Sequence, residues 1–135
     1  MSISPRELSI ATGERIQLVD ITRLVQELVD TERCHTGYCV IFVPHTTAGL
    51  TINENADPDV SRDIIQSLDR IVPRDDNYRH QEGNSAAHIK ASLLGFSQTI
   101  FIEAGRLKLG TWQGIYLAEF DGPRQRAVWV RIIPA

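Results

Sequence analysis

The sequence predicts a single-domain α+β protein, in which an antiparallel or mixed sheet forms a sandwich-like core with about three helices. The chain has 135 residues, enough for one ordinary domain and too few for two. Seven short runs are typical of strands, and three segments have apolar residues at helical spacing. Because the strands cluster and do not alternate regularly with helices, a sheet or sandwich is favoured over a parallel α/β fold.

The first elements are two strands and a helix. Residues 7–10 and 15–18 alternate between polar and apolar side chains, which predicts two short strands joined as an opening hairpin. From Asp20 to about Glu32 the apolar residues follow helical spacing, and Asp20 or Thr22 can cap the start of this helix.

The central elements are two strands and a second helix. Residues 37–43 are apolar on both strand faces, which predicts a central, covered strand that ends at Pro44. A short strand over residues 49–53 follows. The next helix is well marked, because Asp57 suits its N-cap and Pro58 its first turn.

The last third of the chain begins with a short helix and continues with strands. Asn84 or Ser85 is expected to cap the helix, with Ala86, Ile89 and Leu93 facing inward. Three strand-like runs complete the chain, at residues 98–103, 114–121 and 126–133.

Composition excludes several classes of protein. A formal charge of −3 and a pI near 5.8 disfavour a nucleic-acid binder, which has to neutralise phosphates. No run of about 18 apolar residues is present, so no membrane span is expected. The N-terminal residues do not resemble a secretory signal, which predicts a cytoplasmic protein with Cys34 and Cys39 reduced.

Polar side chains suited to ligand binding fall into three groups, each at a predicted strand end or helix start. Strand ends present ligands from a rigid scaffold, so these positions are the candidate site. The three groups are His45, Thr46, Thr47, Asn53 and Glu54; then His80, Glu82, Asn84, Ser85 and His88; then Trp112, Gln113 and Arg124.

The three histidines have two interpretations. Together with the carboxylates they can bind a divalent metal, since imidazole is a common metal ligand and catalytic zinc sites use three protein ligands. Their spacing, however, matches no compact metal motif. In the alternative, His80 is a solvated loop residue, His88 lies on a helix surface, and His45 is a core residue satisfied by backbone groups.

Three segments resemble the YjbQ family, small proteins commonly labelled secondary thiamine-phosphate synthases. They are "PHTTAGLTINENADPDV", "YRHQEGNSAAHIKASLLG" and "LGTWQGIYLAEFDGPR", at residues 44–60, 78–95 and 109–124. The resemblance implies one such domain over residues 1–135 that assembles as a homotrimer, with the motif residues in a cleft near the subunit interface.

By this resemblance the protein is a metal-binding enzyme with weak thiamine-phosphate-synthase-like activity on small phosphorylated substrates. The metal is expected to be zinc, with magnesium or manganese as alternatives. Lys90, Arg79 and Arg124 are available to bind phosphates. The implied roles are metal ligation by His45, His80 and His88; catalysis by Glu54, Glu82 and Asn84; and substrate binding by Thr46, Thr47, Asn53, Ser85, Trp112, Gln113 and Arg124.

The alternative function is a trimeric module without catalysis, which binds a metabolite or only holds an interfacial metal. The partners expected in either case are a small molecule and further copies of the chain, with neither nucleic acid nor membrane.

Overall fold

Two antiparallel sheets and three helices build residues 4–135, the part of the chain that the computed structural model describes. The helices are α1 (Thr22–Glu32), α2 (Pro58–Ile71) and α3 (Ser85–Leu94). The strands are β1 (Arg6–Ala11), β2 (Gln17–Asp20), β3 (Gly37–Phe42), β4 (Ala48–Glu54), β5 (Ser97–Glu103), β6 (Arg106–Leu107), β7 (Gln113–Glu119) and β8 (Gln125–Pro134). The larger sheet has the order β1-β8-β3-β5-β6 and the smaller β2-β7-β4. The predicted α+β class is confirmed.

The predicted opening hairpin is wrong, although both of its strands exist. β1 pairs with β8 in the larger sheet, whereas β2 pairs with β7 in the smaller one. The intervening residues therefore cross from one sheet to the other. Alternation of side chains identified each strand, but it carries no information on the partner strand, which long-range packing selects.

The main core lies between the two sheets and includes one face of α1. Ile41 and Val128 of the larger sheet, Leu50 and Leu117 of the smaller sheet, and Val25 of α1 are all completely buried. Each fully buried aliphatic side chain contributes about 1.5–3 kcal/mol through burial of apolar surface. This shared core explains why strands from both ends of the sequence meet.

β3 is central in the larger sheet, as predicted, because it pairs with β8 on one side and β5 on the other. The burial of its outer face, however, differs from the prediction. The sequence predicted a strand covered on both faces, yet Tyr38 and Phe42 are 38% and 42% exposed. The second face of this strand is therefore not buried within one chain.

The helix starts largely follow the sequence signals. The Asp57 carboxylate accepts the Asp59 N–H at 2.9 Å and Pro58 opens α2, as predicted. Asp20 accepts the Thr22 N–H at 2.9 Å at the start of α1. Among residues 4–135, no helix is long and apolar enough to cross a membrane.

The predicted inner face of α3 is only partly right. Ala86 is buried, but Ile89 is 40% and Leu93 59% exposed. The helix buries small residues because it lies very close to β4: a Cβ added at Gly49 would meet the Ala91 carbonyl oxygen at 3.3 Å. Ile89 and Leu93 are too large for this narrow contact, so they point outward.

A buried ion pair joins the two sheets. Glu119 of β7 is completely buried, and Arg126 of β8 is 3% exposed. The Arg126 Nε donates to both carboxylate oxygens, at 2.9 and 3.1 Å, and the guanidinium also donates to the Thr47 hydroxyl at 2.9 Å. The Thr12 hydroxyl completes the network by donating to Glu119 at 2.8 Å.

Two opposed effects set the pKa of Glu119. Burial favours the neutral acid and raises the pKa. Hydrogen bonds from Arg126, Thr12 and the Asp121 N–H, together with the charge of Arg126, stabilise the carboxylate and lower it below the ordinary value of 4.5. Glu119 is therefore ionised in the folded protein, and the pair has both charges.

Replacing Gly37 by alanine is expected to destabilise the protein by about 1–3 kcal/mol, the usual cost of overpacking. The added Cβ would lie 2.2 Å from the Ile133 carbonyl oxygen, which belongs to the neighbouring strand. Urea unfolding monitored by circular dichroism measures the change. Gly13→Ala is the matched control, since its Cβ meets only a side-chain atom at 3.9 Å. Equal stability of the two variants would contradict the close approach of β3 and β8.

Glu119→Gln is expected to cost about 3–5 kcal/mol near pH 7, because it leaves the Arg126 charge buried and unpaired. Since the pKa of Glu119 is lowered on folding, its contribution is present above pH 4.5 and is lost as the pH falls through the folded-state value. Urea unfolding at about pH 7 and about pH 3.5 should therefore show a smaller difference between wild type and variant at the lower pH.

The matched control is Glu103→Gln, which removes a carboxylate from an exposed pair with Lys108. Exposed pairs contribute little to stability, so this variant should unfold close to wild type at both pH values. A Glu119→Gln variant as stable as the control near pH 7 would contradict the structural role of the buried pair.

Candidate functional site

Two of the three candidate histidines face each other in a cleft. The rings of His80 and His88 meet edge to face, with 5.5 Å between their centroids. His88 lies in the first turn of α3, as predicted, and His80 belongs to the loop before it. The cleft has a volume of about 320 Å³, and we name it the histidine cleft. It is lined by Tyr78, Arg79, His80, Ser85, His88 and Ile89.

The histidine cleft offers both basic and acidic groups. Glu82 lies beside it, with its Oε1 3.9 Å from the His80 Nε2. Arg79 is exposed and makes no hydrogen bond or ion pair with residues 4–135. Ser85 is the first residue of α3, where free backbone amides and the helix dipole favour an anion. A phosphate group would thus find a free guanidinium and a helix N-terminus in the same cleft.

Asn84 occupies the N-cap position of α3, but it does not cap the helix through its side chain. Instead its Nδ2 donates to the Asp121 carboxylate at 2.9 Å, and Arg124 donates to the same oxygen at 3.0 Å. The Asn84 Oδ1 is buried and has no partner among the described residues. Asn84 therefore fixes the start of α3 against the end of β7, beside the histidine cleft.

His45 lies elsewhere, near the buried ion pair. Its Nε2 accepts the Ala127 N–H at 2.9 Å, so the ring nitrogen that remains available is Nδ1. Burial lowers the pKa of His45, and the charges of Arg126 and Arg124 lower it further. His45 is thus held neutral by its surroundings. The alternative interpretation, a core histidine satisfied by backbone groups, agrees with its backbone hydrogen bond, although the residue is only partly buried.

The predicted metal ligands are therefore only partly brought together. His45 is not among the residues that line the histidine cleft. Within residues 4–135, no group of three or more His, Cys, Asp and Glu side chains is arranged to hold a metal ion. The three-histidine metal site stays a prediction, and one chain supplies two of its imidazoles at one place.

The remaining candidates lie at opposite ends of β4 and β7. Thr47 precedes β4 and is bound by Arg126, while Thr46 beside it is exposed. At the other end are Asn53, Glu54, Gln113 and Trp112, with Glu54 paired to Gln113 and Trp112 62% exposed. A seven-residue strand is about 20 Å long, so the two ends cannot contact one small ligand.

Only one of the three expected phosphate-binding cations is free. Lys90 is 2% exposed and forms an ion pair with Asp69. Arg124 is held by Asp121, to which it donates twice, through Nε to the carbonyl oxygen and through a terminal nitrogen to the carboxylate. Arg79, in the histidine cleft, remains available to a ligand.

Sequence reasoning missed Arg126 and Thr12, which complete the buried network. A signal for Arg126 was present: it alternates with Val128 and Val130, the inward-facing residues of β8. A charged residue at an inward position indicates a buried partner, and Glu119 within the apolar run of β7 was the available opposite charge. No such pattern marks Thr12.

The chain matches known proteins over nearly its whole length. A family profile described as UPF0047 protein YjbQ-like matches residues 6–135. The chain is 56% identical to the UPF0047 protein MJ1081 of Methanocaldococcus jannaschii, over 92% of this chain and 90% of that one. It is 48% identical to the UPF0047 protein YugU of Bacillus subtilis, over 95% and 98% respectively.

Solved structures agree with the fold. A conserved protein of the YjbQ/UPF0047 family from Clostridium acetobutylicum superimposes with a TM-score of 0.93 at 60% identity, covering 95% of this chain and 99% of that one. A YbjQ-like protein of unknown function from Sulfolobus solfataricus gives a TM-score of 0.92 at 32% identity, with 96% of each chain covered. The chain therefore belongs to the YjbQ-like UPF0047 family.

Proposed function

We propose that this protein is a metal-dependent enzyme that acts on small phosphorylated substrates, with weak thiamine-phosphate-synthase-like activity. The observation that carries the proposal is the histidine cleft, where His80 and His88 face each other beside the free guanidinium of Arg79. The cleft volume of about 320 Å³ suits a small metabolite.

The donor set of one chain fits a metal only in part. His80 and His88 supply two imidazoles, whereas a catalytic zinc site usually has three protein ligands. In our proposal the third ligand comes from a neighbouring copy of the chain, and His45 is the candidate because its Nδ1 is not engaged by Ala127. Imidazole ligands favour zinc over magnesium and manganese, which prefer oxygen.

A bound divalent metal would act as a Lewis acid and stabilise the charge on phosphate oxygens. The protein side chains have separate tasks in this proposal. Arg79 and the amides at the start of α3 bind the phosphate group. Glu82, whose carboxylate is 3.9 Å from the His80 ring nitrogen, orients that ring. Glu54 lies at the far end of β4, so Glu82 is the better candidate for the catalytic carboxylate.

Assembly as a homotrimer is part of the proposal. Two separate apolar surfaces are exposed on one chain. One is the outer face of the larger sheet, where Phe101 is 68% and Trp129 38% exposed. The other is the α2 and α3 surface, where Ile71 and Leu93 are 69% and 59% exposed and α2 has no buried residue. A ring of subunits requires two different surfaces that fit each other, and the two exposed apolar surfaces of this chain support such an arrangement.

A second candidate function is a trimeric module in which the metal secures the interface without catalysis. The exposed Ile89 in the histidine cleft favours it, because an apolar side chain beside Leu93 suits contact with a neighbouring chain. Metal binding is common to both candidates, and turnover separates them.

His88→Ala is expected to lose most of the bound metal and most of any turnover, because it removes one of the two imidazoles that the cleft supplies. Metal content of protein prepared without chelator or histidine tag is measured by elemental analysis. Turnover is followed as pyrophosphate release from a pyrimidine pyrophosphate and a thiazole phosphate. His35→Ala is the matched control, since the His35 side chain is exposed and hydrogen-bonds only to Thr36 among the described residues.

Metal-loaded wild type without turnover, but with metal lost in His88→Ala, would support the structural module and contradict the enzyme. Equal metal content in His88→Ala and His35→Ala would contradict the metal site itself.

The wild-type chain is expected to have a solution mass three times the 15.2 kDa chain mass, measured by light scattering after size exclusion. Phe101→Glu should reduce that mass, because it puts a charge on the exposed apolar face of the larger sheet. Thr31→Glu is the control, because it adds a charge at an exposed position on α1, which belongs to neither apolar surface. A monomeric wild type would contradict the trimer.

A further inference from the structure

A second cavity lies far from the histidine cleft and is used by none of the functions above. It has a volume of about 450 Å³, between the start of α1 and the β6 segment. We name it the distal cleft. It is lined by Asp20, Thr22, Arg23, Gln26, Asn55, Arg106, Leu107 and Leu109.

The two clefts lie at opposite ends of β7. The distal cleft includes Asn55, whose N–H donates to the Trp112 carbonyl oxygen at 3.0 Å, just before β7 begins. The histidine cleft adjoins Asn84, which contacts Asp121 just after β7 ends. Seven residues of strand separate them by about 20 Å, so one small ligand cannot occupy both.

The walls of the distal cleft are fixed by hydrogen bonds. Asp20 accepts from the Thr22 N–H and hydroxyl through Oδ1, and from the Asn55 Nδ2 through Oδ2 at 3.1 Å. Gln26 accepts the Leu107 N–H at 2.9 Å, and its Nε2 donates at 2.9 Å to the Gly105 carbonyl oxygen. The cleft therefore exists before a ligand binds, which lowers the entropy cost of binding.

The polar groups that remain unengaged in the distal cleft are positively charged. Arg106 is exposed, and its side chain makes no hydrogen bond or ion pair with residues 4–135. Arg23 has only a loose contact with Glu27, at 3.5 Å and largely exposed to water. In contrast, the Asp20 carboxylate, the Gln26 amide and the Asn55 Nδ2 are already hydrogen-bonded within the protein. The groups left for a ligand are guanidinium donors, which bind carboxylates and phosphates.

The floor of the cleft is apolar. Leu107 and Leu109 line it and are partly exposed. Ligand sites typically combine an apolar lining with a few charged groups and have volumes of roughly 300–1,000 Å³. We propose that the distal cleft is a second ligand site for a small organic anion, which places its carboxylate or phosphate between Arg23 and Arg106 and its apolar body on the two leucines.

The test is an NMR titration of the ¹⁵N-labelled full-length protein with phenyl phosphate and with benzoate. Inorganic phosphate and phenol, titrated separately, represent the anionic and apolar parts alone. We expect saturable shifts of the Arg23, Gln26 and Leu107 amides. Phenyl phosphate or benzoate should bind about tenfold more tightly than either part alone, a difference of one decade in Kd. Which of the two binds more tightly distinguishes a phosphate site from a carboxylate site.

Arg106→Gln should weaken this binding about tenfold, as expected when one charged donor is lost. Arg70→Gln is the matched control, an exposed arginine on α2 outside both clefts. The unperturbed spectrum of each variant reports that it is folded. The proposal is overturned if neither anion shifts these amides at about 10 mM. It is equally overturned if the shifts occur only around His88 and not at the distal cleft, or if Arg106→Gln and Arg70→Gln bind alike. The result does not depend on metal content or turnover at the histidine cleft.

Discussion

The buried pair of Glu119 and Arg126 is the interaction on which the arrangement of the two sheets depends. Glu119 belongs to the smaller sheet and Arg126 to the larger one, and Thr12 and Thr47 complete their hydrogen bonds. Two buried charges are tolerated only when their partners are placed accurately. The network therefore holds Thr12, just after β1, and Thr47, just before β4, in fixed positions. It thereby fixes where the chain passes from one sheet to the other.

This network also shapes the surroundings of the candidate site. The Arg126 charge and burial together lower the pKa of His45, whose ring accepts the Ala127 N–H. The Glu119 carboxylate accepts the Asp121 N–H, and Asp121 in turn holds Asn84 at the start of α3. The position of the helix that carries His88 is thus linked to the buried pair through a short series of hydrogen bonds. A rigid connection of this kind suits a site that has to keep two imidazoles in place.

One chain brings together only two of the three histidines that are proposed as metal ligands, and it leaves apolar surface exposed. Both observations have the same explanation if further copies of the chain cover the exposed sheet face and helix surface. The aromatic residues Phe101 and Trp129 would then be buried, and the cleft of His80 and His88 would gain a third ligand. The distal cleft lies about 20 Å from the histidine cleft, so the ligand site proposed there would be independent of the proposed metal site.

The sequence alone determined the family, most of the helix starts and every strand except the two-residue β6, because these depend on local spacing and on motifs that can be read directly. Asp57 as helix cap and the central position of β3 are examples. The tertiary structure decided which strands pair, so the expected hairpin of β1 and β2 became one strand in each sheet. It also decided that the rings of His80 and His88 contact each other, whereas His45 lies elsewhere and accepts the Ala127 N–H. It decided, too, that Ile89 points outward. These outcomes depend on contacts between residues distant in sequence, and neither periodicity nor spacing encodes such distances.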